Sequence, residues 1–226
     1  AGFAETAEYT GILQKEPDLP VWEQRLWPMY NATDYAANLR QVPLVAYSGE
    51  KDRQIQAALV MERALRAEGL TLEHVIGPGV EHKYEPAAKR EVARRVDAMM
   101  AKPSPDLPAL DLTTHTLRFS AGEGSVWARF EGLKQHWERA RLRARVEAGN
   151  VVVVETEGVT AFSLRRPPGV TDSSFTVVAD GLRILVSARD ASADRWRVRR
   201  GEGRWHLERG RARTAGKRPG LQGPID

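Results

Sequence analysis

The chain is predicted to be an α/β unit followed by an all-β unit, on three observations. Between residues 42 and 100 short apolar runs alternate with helical apolar stripes, and beyond residue 110 apolar residues recur every second position. Between these regions lies Lys102-Pro103-Ser104-Pro105-Asp106-Leu107-Pro108, whose three prolines deny helix and central strand. A total of 226 residues, 42% of them apolar, suffices for one large or two small cores. Charge divides at the same place: residues 1–110 hold 13 Lys and Arg against 16 Asp and Glu, and residues 111–226 hold 21 against 14. The expected organisation is therefore an α/β unit over residues 1–102, a Pro-rich linker over 103–110, a β-sandwich-like unit over 111–215 and an irregular tail over 216–226.

In the first unit, residues 42–48 (VPLVAYS) form a short apolar run ending at Gly49, the pattern of a buried strand meeting a turn. Ile55, Ala58, Leu59 and Leu65 then recur at helical spacing, and Gly69 supplies a stop just past the helix end. Residues 72–76 predict a second strand, halted by Gly77-Pro78-Gly79. Pro86 opens a second helix striped by Ala88, Val92, Val96 and Met99.

Strand, helix, strand, helix is most simply two parallel neighbours joined by a crossover, with both strand ends on one rim. The loop after the first strand carries Asp52 and the loop after the second carries His82. Open α/β sheets place their sites at that rim, so topology alone brings a carboxylate to an imidazole. Such a pair is what a serine hydrolase requires of its acid and base: the acid holds the imidazole tautomer and stabilises the imidazolium formed when serine is deprotonated. Asp52 is equally placed to cap the helix that begins near Arg53, and His82 taken alone reads as an ordinary loop histidine. His74 falls inside the second strand as a partly buried structural residue. Glu81, Lys83 and the cluster Trp22, Trp27, Met29 and Tyr30 carry no assigned chemistry.

Residues 42–83, with Tyr47-Ser48-Gly49-Glu50-Lys51-Asp52 and Gly77-Pro78-Gly79-Val80-Glu81-His82-Lys83, resemble the end of a prolyl oligopeptidase-type catalytic domain of the α/β-hydrolase fold. The resemblance extends over roughly residues 1–102, its opening Ala1-Gly2-Phe3-Ala4 resembling the segment that follows the nucleophile region. It implies Asp52 as triad acid, His82 as general base, a peptide or ester substrate, no cofactor and an exported enzyme. In this fold the triad runs serine, acid, histidine along the chain, with the serine on a Gly-x-Ser-x-Gly elbow. No such elbow occurs here. Ser48 precedes the pair but ends the acid's own strand with no helix start behind it, and is rejected as nucleophile. The expectation is thus a fragment whose serine and oxyanion hole lie before Ala1, inactive in isolation. An esterase or acyl hydrolase of the same fold and a noncatalytic binding module are the alternatives.

After Pro108, Thr114, Thr116 and Arg118 alternate with His115, Leu117 and Phe119, and further strands are predicted over residues 126–130, 142–146, 151–156, 160–164, 175–178 and 182–186. Gly149-Asn150, Pro167-Pro168-Gly169 and Asp180-Gly181 are the turn signals, Asp180-Gly181 the clearest hairpin among them. Residues 103–226 are similar to the β-rich extension of some large bacterial members of the family. Residues 195–213 hold eight arginines. In Arg195-Trp196-Arg197-Val198-Arg199 the arginines take one face and the apolar residues the other, so the segment reads as a hairpin with a solvated basic face suited to an acidic protein surface, with no nucleic-acid partner. The chain has no cysteine, which excludes disulfides and thiolate metal sites. No metal-ligand spacing is visible, and no run of about 20 apolar residues reads as a membrane span.

Overall fold

The computed structural model describes residues 3–9, 19–101, 109–117, 127–190 and 195–208. The chain divides into two compact units, Ala1–Pro105 and Asp106–Asp226, the break falling among the prolines. Helix and sheet are mixed, with three sheets in all among the described residues.

In the first unit a short helix α1 (Val21–Gln24) and 3-10 turns at Trp27–Met29 and Thr33–Gln41 lead into β1 (Val45–Gly49), α2 (Ile55–Ala67), β2 (Glu73–Gly77) and α3 (Pro86–Met100). β1 and β2 pair in parallel, Val45 opposite Glu73 and Gly49 opposite Gly77. Both strands start later than the apolar runs suggest: Pro43 has no N–H for a ladder, and pairing extends only where the two strands overlap. Helix α2 buries Ala57, Val60 and Leu65. Leu65 packs with Ala36 and Leu72, while Ala57 and Val60 pack on Ala4. Pro86 begins α3, and the Glu85 side chain accepts hydrogen bonds from the Ala87 and Ala88 amides, satisfying two donors that every helix start leaves open.

The second unit contains β3 (Ala109–Thr114), β4 (Ala128–Leu133), β5 (Ala140–Glu147), β6 (Val151–Glu157), β7 (Val159–Leu164), β8 (Ser174–Ala179), β9 (Leu182–Ser187), β10 (Trp196–Gly201) and β11 (Arg204–Glu208). They make a five-stranded sheet ordered β3-β5-β6-β8-β9 and a four-stranded sheet ordered β11-β10-β7-β4. Every pairing is antiparallel except β6 with β8. One core takes Leu142, Val152, Val154 and Val177 from the larger sheet and Phe130, Phe162, Leu164 and Val198 from the smaller. Tryptophans stitch the two together. Trp196 stands edge-on to Phe175 at 4.9 Å and donates its indole N–H to the Ser187 carbonyl. Trp205 meets Phe162 at 5.2 Å and donates to Asp180. Asp180 and Gly181 adopt φ of 45° and 86°, the left-handed pair that a two-residue hairpin between β8 and β9 requires.

Two expectations need correction. The described part of the strand read from the alternation after Thr114 lies earlier, at Ala109–Thr114, because β5 recruits those residues from Ala109 opposite Arg145 to Thr114 opposite Ala140, while Arg118 and Phe119 lie outside the described residues. Ala109 and Leu110 accordingly belong to the sheet, not to the linker assigned over 103–110, and Leu110 is buried in the core. The tail over 216–226 and the arginines beyond Glu208 lie outside the described residues.

Candidate functional site

The turn leaving β1 is locked by backbone hydrogen bonds before any side chain acts. Glu50 N–H donates to the Gly77 carbonyl at 2.8 Å, Lys51 N–H to Val80 at 2.9 Å, and Asp52 N–H back to Gly49 at 3.1 Å. The first two tie this turn to the loop after β2, so the loops bearing Asp52 and His82 form one structure. Glu50 adds a side-chain tie, accepting the Gly79 amide at 2.6 Å. Tyr47 adds another: its hydroxyl donates to the Lys83 carbonyl and accepts from the Glu85 amide, both at 2.9 Å, clasping the histidine loop on either side of Tyr84. Its ring stacks on Tyr84 at 4.3 Å.

Within this frame His82 Nδ1 lies 3.0 Å from Asp52 Oδ2. The carboxylate is buried, its side chain 9% exposed, whereas the imidazole is 59% exposed. Asp52 divides its two oxygens: Oδ1 accepts the Gln54 amide at 2.9 Å while Oδ2 faces the histidine. The expected cap on a helix starting near Arg53 is corrected: α2 begins at Ile55 with Gln54 as its N-cap and no side-chain cap bond, so Asp52 Oδ1 braces the turn ahead of the helix while Oδ2 serves the pair. The Gln54 amide, foremost, and the His82 ring hold the Asp52 carboxyl below its ordinary 3.8, against the opposing effect of burial. An ionised Asp52 fixes the proton on His82 Nδ1, leaving Nε2 as the acceptor. Nε2 has no hydrogen-bond partner among the described residues.

A cleft of about 350 Å³ opens beside the pair, lined among others by Val45, Tyr47, Ser48, Asp52, His82 and Tyr84. A second hollow of about 430 Å³ lies across the histidine, against Lys51 and Gly79. Ser48 is buried and its Oγ lies 3.0 Å from His74 Nε2 rather than at His82. Burial lowers the pKa of His74, with Glu62 opposing, so this cross-strand contact joins a hydroxyl to a neutral ring. Trp22 and Tyr30 lie exposed in the segment before β1. Neither they nor Trp27 and Met29 line the cleft. Among the described residues no group of three or more His, Asp or Glu side chains is arranged to hold a metal, and no helix is long and apolar enough to cross a membrane.

Sequence reasoning singled out Asp52 and His82 but missed Tyr47, Glu50 and the Ser48–His74 contact. A tyrosine in a strand between two loops was the available signal, since a part-buried hydroxyl needs partners. Close approach matters as well. A Cβ on Gly49 would sit 2.0 Å from the Glu81 carbonyl oxygen and 2.6 Å from that of Val80. Gly49→Ala is therefore expected to force the histidine loop off β1 and to cost about 1–3 kcal/mol in urea unfolding. An unchanged midpoint would mean that the loop does not rest on the strand.

The fold and site define a parallel-stranded α/β unit with an acid–histidine pair on its rim, joined to a β-rich unit. Comparison of the chain with protein-family models, with curated proteins and with solved structures gave no match.

Proposed function

We propose that residues 1–102 are the C-terminal part of an α/β-hydrolase domain of prolyl oligopeptidase type, and that Asp52 and His82 are the acid and general base of a serine hydrolase cleaving peptide bonds. The β unit that follows is its sandwich-like accessory domain. The observation that carries this reading is the 3.0 Å contact between a buried carboxylate and His82 Nδ1, with Nε2 left unpartnered at a cleft. In the proposed reaction a serine outside residues 1–226 gives its proton to His82 Nε2 as it attacks the carbonyl carbon. The imidazolium, stabilised by Asp52, then returns that proton to the leaving amine. Water, deprotonated by His82, releases the acyl group and restores the serine. Ser48 does not serve as this nucleophile, because its hydroxyl is turned to His74.

The test is fluorophosphonate labelling of the gene product that includes the residues preceding Ala1, alongside a His82→Ala variant. Labelling that disappears in the variant supports the reading. Labelling indifferent to His82 would overturn it, and absence of labelling would leave a noncatalytic binding module. Cleavage of a peptide amide rather than of a p-nitrophenyl ester alone separates a peptidase from an esterase.

A further inference from the structure

Arginines line the outer faces of both sheets in the second unit, but the two faces are charge-balanced differently. On the five-stranded sheet each arginine of β5 meets a carboxylate: Arg141 with Asp111 at 2.6 Å, Arg143 with Glu157 at 3.2 Å, and Arg145 with Glu147 at 3.0 Å. On the four-stranded sheet Ser163 of β7 stands between Arg129 of β4 and Arg197 of β10 in one cross-strand row. Arg195 enters the same face two residues before Arg197, and its NH1 donates to Ser163 Oγ at 3.2 Å. The single carboxylate in the group, Glu131, is already engaged: Oε1 accepts the Ser163 hydroxyl at 2.7 Å and Oε2 accepts Arg197 at 3.3 Å. Arg129, Arg165 and Arg195 have no carboxylate at ion-pair distance among the described residues, and Arg129 Nε is buried with no acceptor.

Guanidinium groups that outnumber their counter-charges repel one another, and a buried N–H without an acceptor costs free energy. Burial, with the like charges of Arg165 and Arg129 beside it, pulls the Arg195 guanidinium below its ordinary value. Nothing in folding the β unit asks for this, since the arginines of β5 on the opposite sheet are each paired with a carboxylate. We propose that the outer face of the four-stranded sheet is an oxyanion site, in which Arg129, Arg165 and Arg195 bind the phosphate dianion of a small phosphorylated ligand above Ser163. A phosphate monoester carries about −1.5 to −2 charges at neutral pH and offers three acceptor oxygens, matching three guanidinium groups that have no carboxylate partner. Nucleic acid fits the face poorly. Phe130, Phe162, Trp196 and Trp205 all turn into the core, so among the described residues of these four strands no Phe, Tyr or Trp ring lies on this face for bases to stack on. The site is independent of Asp52 and His82.

Inorganic phosphate is the probe, titrated into the full chain at constant ionic strength and followed by the unfolding midpoint and by the 31P line width. The expected result is a saturable rise in midpoint that equal ionic strengths of chloride or acetate do not reproduce. Arg129→Gln with Arg195→Gln should weaken phosphate binding about tenfold or more, while Arg143→Gln on the opposite sheet leaves it intact. Arg195→Lys keeps the charge and loses the planar fork, so it too should weaken binding, and it guards against a double variant that fails to fold. Equal effects of acetate and phosphate, or phosphate binding unchanged in the Arg129/Arg195 variant, would overturn the proposal.

Discussion

On the proposed serine-hydrolase function, Asp52→Asn is expected to lower kcat of the active protein by about 10⁴-fold with little change in KM. The amide can still accept the Gln54 N–H, so the turn is retained. With its oxygen on Gln54 it turns an N–H to Nδ1, which favours the tautomer protonated on Nε2, and it carries no charge to stabilise an imidazolium. A loss smaller than tenfold would remove Asp52 from the reaction and leave it as a brace of the turn before α2. The same carboxylate links stability to acid. Because its folded pKa lies below 3.8, the unfolded chain binds the proton first as pH falls. Its contribution is thus complete above that value and disappears as pH drops through the lower folded one. Asp52→Asn should flatten this part of the acid-unfolding curve.

Phe162→Ala is expected to destabilise the β unit by about 3–5 kcal/mol in urea unfolding. Phe162 is fully buried on β7 and meets the Trp205 ring at 5.2 Å, and its neighbours come from both sheets. Removing the ring leaves a cavity that sheets held by ladder hydrogen bonds cannot close. Leu185→Ala on β9 is the contrast, since that side chain is 73% exposed and its loss should stay within about 0.5 kcal/mol. Equal effects of the two substitutions would mean that the sheets do not share a core.

Residue order alone was enough to place the helices α2 and α3, the strands β5 to β11 within a residue or two, the hairpin at Asp180-Gly181 and the break among the prolines. Each depends on short-range physics: the spacing of apolar residues, the φ that a turn demands, or a missing N–H. The same local patterns put Asp52 and His82 in successive loops at one rim, and the face of Arg195, Arg197 and Arg199 could be read from alternation. Partners were beyond its reach. Period two tells which residues share a face but not which strand lies alongside, so the start of β3 was misplaced until β5 supplied its register. It likewise could not show the chain crossing from the five-stranded to the four-stranded sheet at Gly158, between β6 and β7. The clasp of Tyr47 on residues 83–85, the division of labour between the Asp52 oxygens, and the contrast between paired arginines on β5 and unpaired ones around Ser163 all join positions distant in sequence. Such contacts depend on distance and direction between side chains that only packing brings together, and so they were decided in the folded chain.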